Sequence, residues 1–592
     1  MKKEIILYSL LAGSMAFTSC EDLLEKDPIH KLDAPGFFTS ENDLKIYSYS
    51  FYDRDLPSVD NIAKGDGTSD YAAINTPGTF LSGNWSSVDQ TGWSVGNWSA
   101  LRNINYFLVN APKAPVSETV MNHYIGLARY WRAVFYLDKV QTFGAVPWYD
   151  IALDPSDPDL NKARDSREFV MAKVLEDINF AATHISESKD SYSSLINRFT
   201  ALAMKSRICL YEGTYRKYHP ELALTDAATW LREAADAAKE LMDAGKYRLY
   251  STGNPEKDYR TLFTSEDLSG MPAIASEVIL ARCMNTESRE WHDLTWNFNS
   301  PTNGSRWSLI KQFVDTYLMR DGSRFTDKAN YDQIEFYNEM KNRDYRLSQT
   351  IRTEGYYRED GTIAPPDFAV TLTGYHIKKW SLDDSWHDGQ GQCTNNIPII
   401  RYAEVLLNYA EAKAELGEFT ASEWNQSIKL LRERAGMSGA EPASADSYLQ
   451  SNFFPDISNK YLLEIRRERG IELCFEGFRY QDLMRWKCGE LLSSAKFPWK
   501  GIYVPAKDVN YDLNGDGKAD VCFVDRKPDK TTPGVKYVIM GANIKLSEGT
   551  KGHLIWAWGI ERKWEDKKYL RPIPESAVLL NPNLLPQNDG WE

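Results

Sequence analysis

Apolar residues recur at intervals of three and four through seven stretches of the chain. Residues 118–143 carry Tyr124, Leu127, Trp131, Val134, Phe135, Leu137 and Val140 in such a pattern. Residues 169–185 follow the same rule. So do residues 200–211, with Leu202, Ile208 and Leu210, and the Ala-rich residues 226–244, with Leu231 and Leu241. Residues 400–416 bring Ala403, Leu406, Leu407, Ala410 and Ala414 onto one stripe. Residues 422–435 and 461–485 complete the set. A period near 3.6 with one apolar face predicts amphipathic helices. Small residues such as Ala128, Ala133, Ala203, Ala410 and Ala412 allow close helix contacts.

Several of these helices are expected to pair across short connections, as tetratricopeptide-like helix pairs do. No strict 34-residue period is visible. Long irregular stretches separate them: residues 57–96, 253–306, 352–396 and 497–561. These are rich in Gly, Asn, Ser, Asp, Trp and Tyr. Loops of this length in a compact protein are functional or carry small strands of their own. The expected fold is mostly α, a scaffold of helix pairs with long loops and a few short β-strands. Helices and insertions alternate throughout, so a single intertwined domain is expected.

The chain start reads differently. Lys2 and Lys3 precede a mostly apolar run, residues 5–17, and then Thr18-Ser19-Cys20. That order is a secretory signal, and the run is too short to span a bilayer. The cysteine at the cleavage point predicts a lipoprotein signal over residues 1–19, with Cys20 acylated and a mature domain of residues 20–592. Phe17 stands where such signals usually carry Leu. Acyl chains on one cysteine hold a protein at a membrane without a spanning helix. Cys209, Cys283, Cys393, Cys474, Cys488 and Cys522 lie far apart and read as mostly buried free thiols.

A net charge of −14 argues against nucleic acid as a partner. The eight His are scattered singly, without metal-ligand spacing. G-x-S-x-G, P-loop and H-E-x-x-H motifs are missing, so the sequence does not read as an enzyme. Aromatic residues make up 13% of the chain, with 18 Trp and 33 Tyr, enough to supply both core packing and sugar-stacking platforms.

Several motifs resemble one family in its expected order. The segment C-E-D-L-L-E-K-D-P from Cys20 resembles the mature start of the SusD/RagB family, and F-F-T-S-E-N-D from Phe37 follows it. W-S-A-L-R-N-I-N from Trp98 is similar to the first helix. A-R-Y-W-R-A-V-F-Y from Ala128, continuing to G-A-V-P at Gly144, resembles the next signature. So do P-I-I-R-Y-A-E-V-L-L-N-Y-A-E-A from Pro398, L-R-E-R-A-G from Leu431 and I-R-R-E-R-G-I-E-L-C-F-E-G-F-R-Y-Q-D-L-M-R-W from Ile465. The end, from Tyr569 to Trp591, closes the pattern. The resemblance implies a surface lipoprotein of the outer membrane that binds oligosaccharides, in some members peptides. It implies a partner, a SusC-like TonB-dependent outer-membrane barrel, to which the ligand is passed. A peptide ligand and an exported glycoside hydrolase are the rival readings.

The charged family motifs read as scaffold. Arg469/Glu472, Glu476/Arg479 and Asp482/Arg485 are spaced for pairing on one helix face, and Arg401, Glu404 and Glu411 read as part of the same ion network. The ligand is sought in the loops instead. Trp85 to Trp93, preceded by Asp70 and Tyr71, is one aromatic loop, and Trp291 to Trp307 is the other. Trp93, Trp291, Trp296 and Trp307 are the candidate stacking rings, and Asn297, Asn299, Asn303 and Arg306 their polar partners. Trp98, Trp131 and Trp486 are expected in the core. Asp512, Asn514, Asp516, Lys518 through its carbonyl, and Asp520 match a calcium loop with Gly517 at the sharp turn. Phe523 replaces the bidentate Glu, so a reduced structural calcium site, completed by Asp525, competes with a plain polar turn.

Overall fold

The computed structural model describes residues 37–154 and 156–591. Among the described residues the scaffold helices are α1 (Glu41–Asp55), α2 (Val95–Asn110), α3 (Glu118–Phe143), α4 (Arg167–His184), α5 (Arg198–Tyr218), α6 (Ala227–Asp243), α7 (Tyr402–Glu415), α8 (Lys460–Glu472) and α9 (Arg479–Arg485). The fold is mostly α, as the periodicity predicts. The ends of α3 coincide with the predicted 118–143. Its N-cap is Ser117, whose hydroxyl accepts from the Val120 N–H, and Gly144 closes it at φ 74°. Capping boxes open α2, from Ser94 and Asn97, and α5, from Asn197 and Thr200.

The predicted pairing is present. Helix α3 packs on α4, α5 on α6, and α7 lies against both α6 and α8. The buried faces merge into one large apolar cluster that runs in sequence from Phe38 to Trp591. Helix α1 buries Leu44, Tyr47, Ser48 and Phe51, a spacing of three and four. That stripe includes a serine and is short of aliphatic residues, which is why the apolar pattern does not announce it.

Two predicted helices are broken. Residues 422–435 divide at Ser427 into Ala421–Gln426 and Ile428–Arg434. Residues 461–485 divide into α8 and α9, because Phe475 and Gly477 take left-handed φ values of 57° and 81°. At Gly477 a Cβ would lie 2.6 Å from the Asn61 carbonyl oxygen, so only glycine fits the turn.

The turn has a purpose in packing. Glu464, Arg466, Arg467, Glu468, Arg469 and Glu472 on α8 are all buried. The expected ion network exists, but besides neighbour pairs such as Arg467 with Glu464 it joins distant segments. Glu472 accepts from Arg346 at 3.0 Å, Arg401 at 2.6 Å and Arg434 at 2.5 Å. Arg469 pairs with Asp482, and Arg479 forms a two-pronged pair with Asp70, both bonds 2.7 Å. Glu476 receives Arg401 and Lys379. Of the three pairs read at i,i+3, only Asp482 with Arg485 forms. Burial pushes the Glu411 carboxyl up, but the Arg485, Arg469 and Arg466 guanidiniums outweigh it and hold the group at about 2.

Ten short strands lie among the described residues: β1 (Ala72–Ala73), β2 (Val278–Arg282), β3 (Ser308–Leu309), β4 (Ile397–Arg401), β5 (Trp499–Val504), β6 (Asn510–Tyr511), β7 (Val521–Val524), β8 (Lys536–Ile539), β9 (Ile544–Leu546) and β10 (Gly552–Trp556). They form four small sheets, ordered β1-β3, β2-β4, β5-β10-β9 and β6-β7-β8. Most sit in the stretches expected to be irregular. The six described cysteines are free thiols, with Cys283 and Cys488 half-buried and the rest buried. No helix among the described residues is long and apolar enough to cross a membrane. Residues 1–19 and Cys20 lie outside the described residues.

Candidate ligand-binding face

Buried histidines position the 291–307 loop. His292 accepts the Leu294 N–H at Nδ1 and donates through Nε2 to the Asn395 carbonyl, and burial pulls its pKa down to about 4. His376 accepts from the Asp367 N–H and donates to the Phe298 carbonyl, with its pKa well below the usual value because it is buried. Both are therefore neutral, and each makes one bond within its own loop and one to the other loop.

Three loops interlock at this position. The Asp293 carboxylate accepts the Gly391 N–H, and His292 and Cys393 exchange backbone hydrogen bonds. Arg358 pairs with Asp388 at 3.0 Å, and the Glu359 N–H reaches the Asp383 carbonyl. A Cβ on Gly391 would meet the Trp291 indole nitrogen at 3.0 Å, so the 384–393 loop passes directly against that ring. Each loop raises one ring into solvent: Trp291 is 45% exposed, Tyr357 52% and Trp386 69%. Single exposed rings are ordinary on a soluble surface; these three are set apart because the loops that carry them are bonded to one another. Trp386 and Tyr357 belong to this set although sequence density did not mark them. Trp386 stands alone in S-W-H-D-G-Q-G, where the only signal is a large ring in a Gly- and Asp-rich loop.

The predicted residues divide into distinct settings. Trp291 is on the exposed face. Trp296 is half-buried, and its indole N–H donates to the Thr302 hydroxyl at 2.9 Å. Asn297 and Asn299 are buried: Asn297 donates to the Asp293 carbonyl, and Asn299 accepts from Arg352 at 2.9 Å. The Asn297 side chain thus holds the loop's shape, whereas the Asn299 side chain is anchored through its oxygen and its buried amide N–H group has no partner among the described residues. Asn303 accepts from the Ser305 N–H in a tight turn. Trp307 is half-buried against Phe298 and Phe475, each 6.2 Å away between ring centres. Trp93 packs on Phe143 and Trp98 beside a different cavity of about 320 Å³, lined also by Tyr149, Leu153 and Leu584. Trp131 and Trp486 are core, as expected, whereas Trp98 is a half-buried wall of that cavity. Asp70 and Tyr71, read as leading into an aromatic loop, are buried, with Asp70 paired to Arg479.

Arg306 opens onto a cleft of about 610 Å³ between the end of this loop, Phe368 and the β8–β9 segment. The Thr302 bond to Trp296 and the Ser305 bond to the Asn297 carbonyl fold residues 300–306 back onto the loop. The exposed rings and the cleft are thus built from one connected set of loops.

The 512–520 turn is closed by its own side chains. Asp512 accepts from the Gly515 and Gly517 N–H groups, Asn514 from Asp516, Asp516 from Lys518, and Asp520 from Leu513. Asp525 is taken by Lys507. Among the described residues no three His, Cys, Asp or Glu side chains group as a metal-binding set.

Known proteins share this architecture. The SusD family model matches residues 276–591, more than half of the chain. SusD-like protein P38 of Formosa agariphila is 23% identical over 516 residues, covering 81% of this chain and 90% of that protein. SusD-like protein P2 of the same organism is 24% identical over 515 residues, covering 83% and 92%. A crystal structure of a SusD-like protein from Bacteroides fragilis superposes with a TM-score of 0.68 at 20% identity, over 95% of this chain and all of that one. A SusD-like carbohydrate-binding protein from the same species gives 0.67 at 21%, over 93% and 100%. By its family match, the length of its relatives covered and its helix-pair scaffold, the chain belongs to the SusD family.

Proposed function

We propose that this chain is a cell-surface lipoprotein that binds an oligosaccharide or polysaccharide and passes it to a TonB-dependent outer-membrane transporter. The observation that carries the binding step is the set of Trp291, Tyr357 and Trp386 on three interlocked loops. Flat rings held on a rigid frame fit the apolar faces of sugar rings, and binding then costs little ordering. The protein acts by capture rather than catalysis. Glu411 and Glu472 are locked onto arginines that keep them ionised, so neither is a general acid. A native gel containing polysaccharide tests this reading. Retarded migration without release of reducing sugar is expected. Sugar release that tracks the pure protein would reverse it in favour of a hydrolase, and retention by peptides alone would favour a peptide carrier.

Anchoring rests on Cys20 and its signal. The Cys20→Ala variant is expected in the soluble fraction instead of the membrane pellet. A variant that still pellets would show another means of attachment.

Calcium is proposed for the 512–520 turn on its donor chemistry. Burial first, then the neighbouring Asp512 and Asp516 charges, push the Asp520 carboxyl up to about 6. A divalent cation would relieve that repulsion. Millimolar calcium is expected to raise Tm in the unaltered protein and not in Asp512→Ala. An unchanged Tm, with no heat on titration, would leave the segment a plain turn.

A further inference from the structure

The cleft beside Arg306 has a charge opposite to that of the molecule. The chain carries a net charge of −14, yet none of the residues lining this cleft is Asp or Glu, and two are cations, Arg306 and Lys536. Neither cation is neutralised within the fold. Among the described residues Arg306 finds no side-chain hydrogen bond or ion pair, and its Nε is buried without a partner. Lys536 is exposed, its backbone N–H bonds the Asp520 carbonyl, and its ammonium has no partner among the described residues. Most other arginines here are taken up: Arg346, Arg401, Arg432, Arg467, Arg479 and Arg485 all face carboxylates.

Arg306 also sits at φ 51°, in the left-handed region that a residue with a Cβ enters at a cost. Such a conformation persists where the surroundings fix it, and it concentrates at sites of use. Here it turns a guanidinium into a cleft and leaves a buried N–H unsatisfied, which is unfavourable until an acceptor arrives. The opposite wall supplies rings. Trp556 is half-buried, anchored by its indole N–H on the Ile74 carbonyl, and Phe368 and Tyr537 line the same space.

We infer that this cleft binds an acidic sugar unit, with the Arg306 guanidinium paired to a carboxylate or sulfate oxygen and Trp556 against the sugar face. The inference rests on the glycan-binding reading and narrows it to anionic glycans. Guanidinium suits both oxyanions, since its paired N–H groups match two acceptor oxygens at once. Lys536 adds a second, less directional attraction at the mouth. The strongly negative remainder of the protein repels polyanions, so retention of one requires a local site.

The test compares the full-length protein with Arg306→Gln and Arg306→Gln/Lys536→Gln in affinity gels. The carboxylated probes are polygalacturonate and alginate, the sulfated ones dextran sulfate and chondroitin sulfate, and the neutral ones dextran and arabinogalactan. Retention by a carboxylated or a sulfated polymer is expected, and which class retains identifies the oxyanion. It should weaken with added salt. Arg306→Gln should weaken it about tenfold or more, the loss of a charge-assisted pair, with Tm unchanged because Arg306 has no partner in the fold. Retention by neutral polymers alone would overturn the inference and leave the glycan reading standing. Acidic retention untouched by both variants would also overturn it. Retention by none of the six would count against both.

Discussion

Replacing Glu472 by alanine is expected to leave little folded protein. Its carboxylate is fully buried and receives three guanidiniums, from Arg346, Arg401 and Arg434. Burial alone would raise its pKa, but these arginines hold it well below the usual carboxylate range. Removing it takes one buried carboxylate from each of Arg346, Arg401 and Arg434, leaving Asp344 and Glu468 on the first, Glu277 and Glu476 on the second, and Glu277 alone on the third. Breaking a buried pair costs about 3–5 kcal/mol, a large part of the roughly 5–15 kcal/mol that a folded domain has in total. Urea unfolding and soluble yield both measure this. A loss below about 1 kcal/mol, the worth of an exposed pair, would mean that water reaches the network.

The second large effect concerns binding. The double variant Trp291→Ala/Trp386→Ala is expected to weaken retention by the cognate polysaccharide about 100-fold, at about 1.5 kcal/mol for each stacked ring. Stability should barely move, because both rings stand on solvent-facing loops. Titration calorimetry gives the affinity and a thermal melt gives the control. A variant that binds as tightly as the parent would remove these rings from the site. One that melts many degrees lower would show them to be packing residues.

These two expectations lie at opposite ends of what the sequence made legible. Helix α3 was readable to its ends because its apolar stripe, Ser117 cap and Gly144 stop are all local signals. The break between α8 and α9 was not, because its cause is the backbone of Asn61 and Ile62 pressing on Gly477 from the far end of the chain. The ion network was visible as charges but not as partners. Arg469 and Glu472 have the spacing of a pair, yet each turns to a different segment. The face was half legible for a similar reason. Aromatic density along the chain marks the 291–307 loop, but density in space also depends on Trp386 and Tyr357, which have few aromatic neighbours in sequence. Asn297 and Asn299 have the composition of ligand groups, yet both are buried, bonded to the Asp293 carbonyl and the Arg352 guanidinium, a setting that composition does not display.

The pair between Asp70 and Arg479 bears on the order in which the molecule can be made. Asp70 is buried and bonded to a residue 409 positions later, and Asp66 accepts backbone N–H groups from Gly477 and Arg479. Until residue 479 has been synthesised, Asp70 lacks its guanidinium and Asp66 has only the Tyr71 hydroxyl, so the surrounding core cannot close over them. Contacts so far apart in sequence form late and slowly. The N-terminal helices therefore wait, exposed to proteases and chaperones, for a segment near the other end of the chain, and a product truncated before it would be cleared rather than stored.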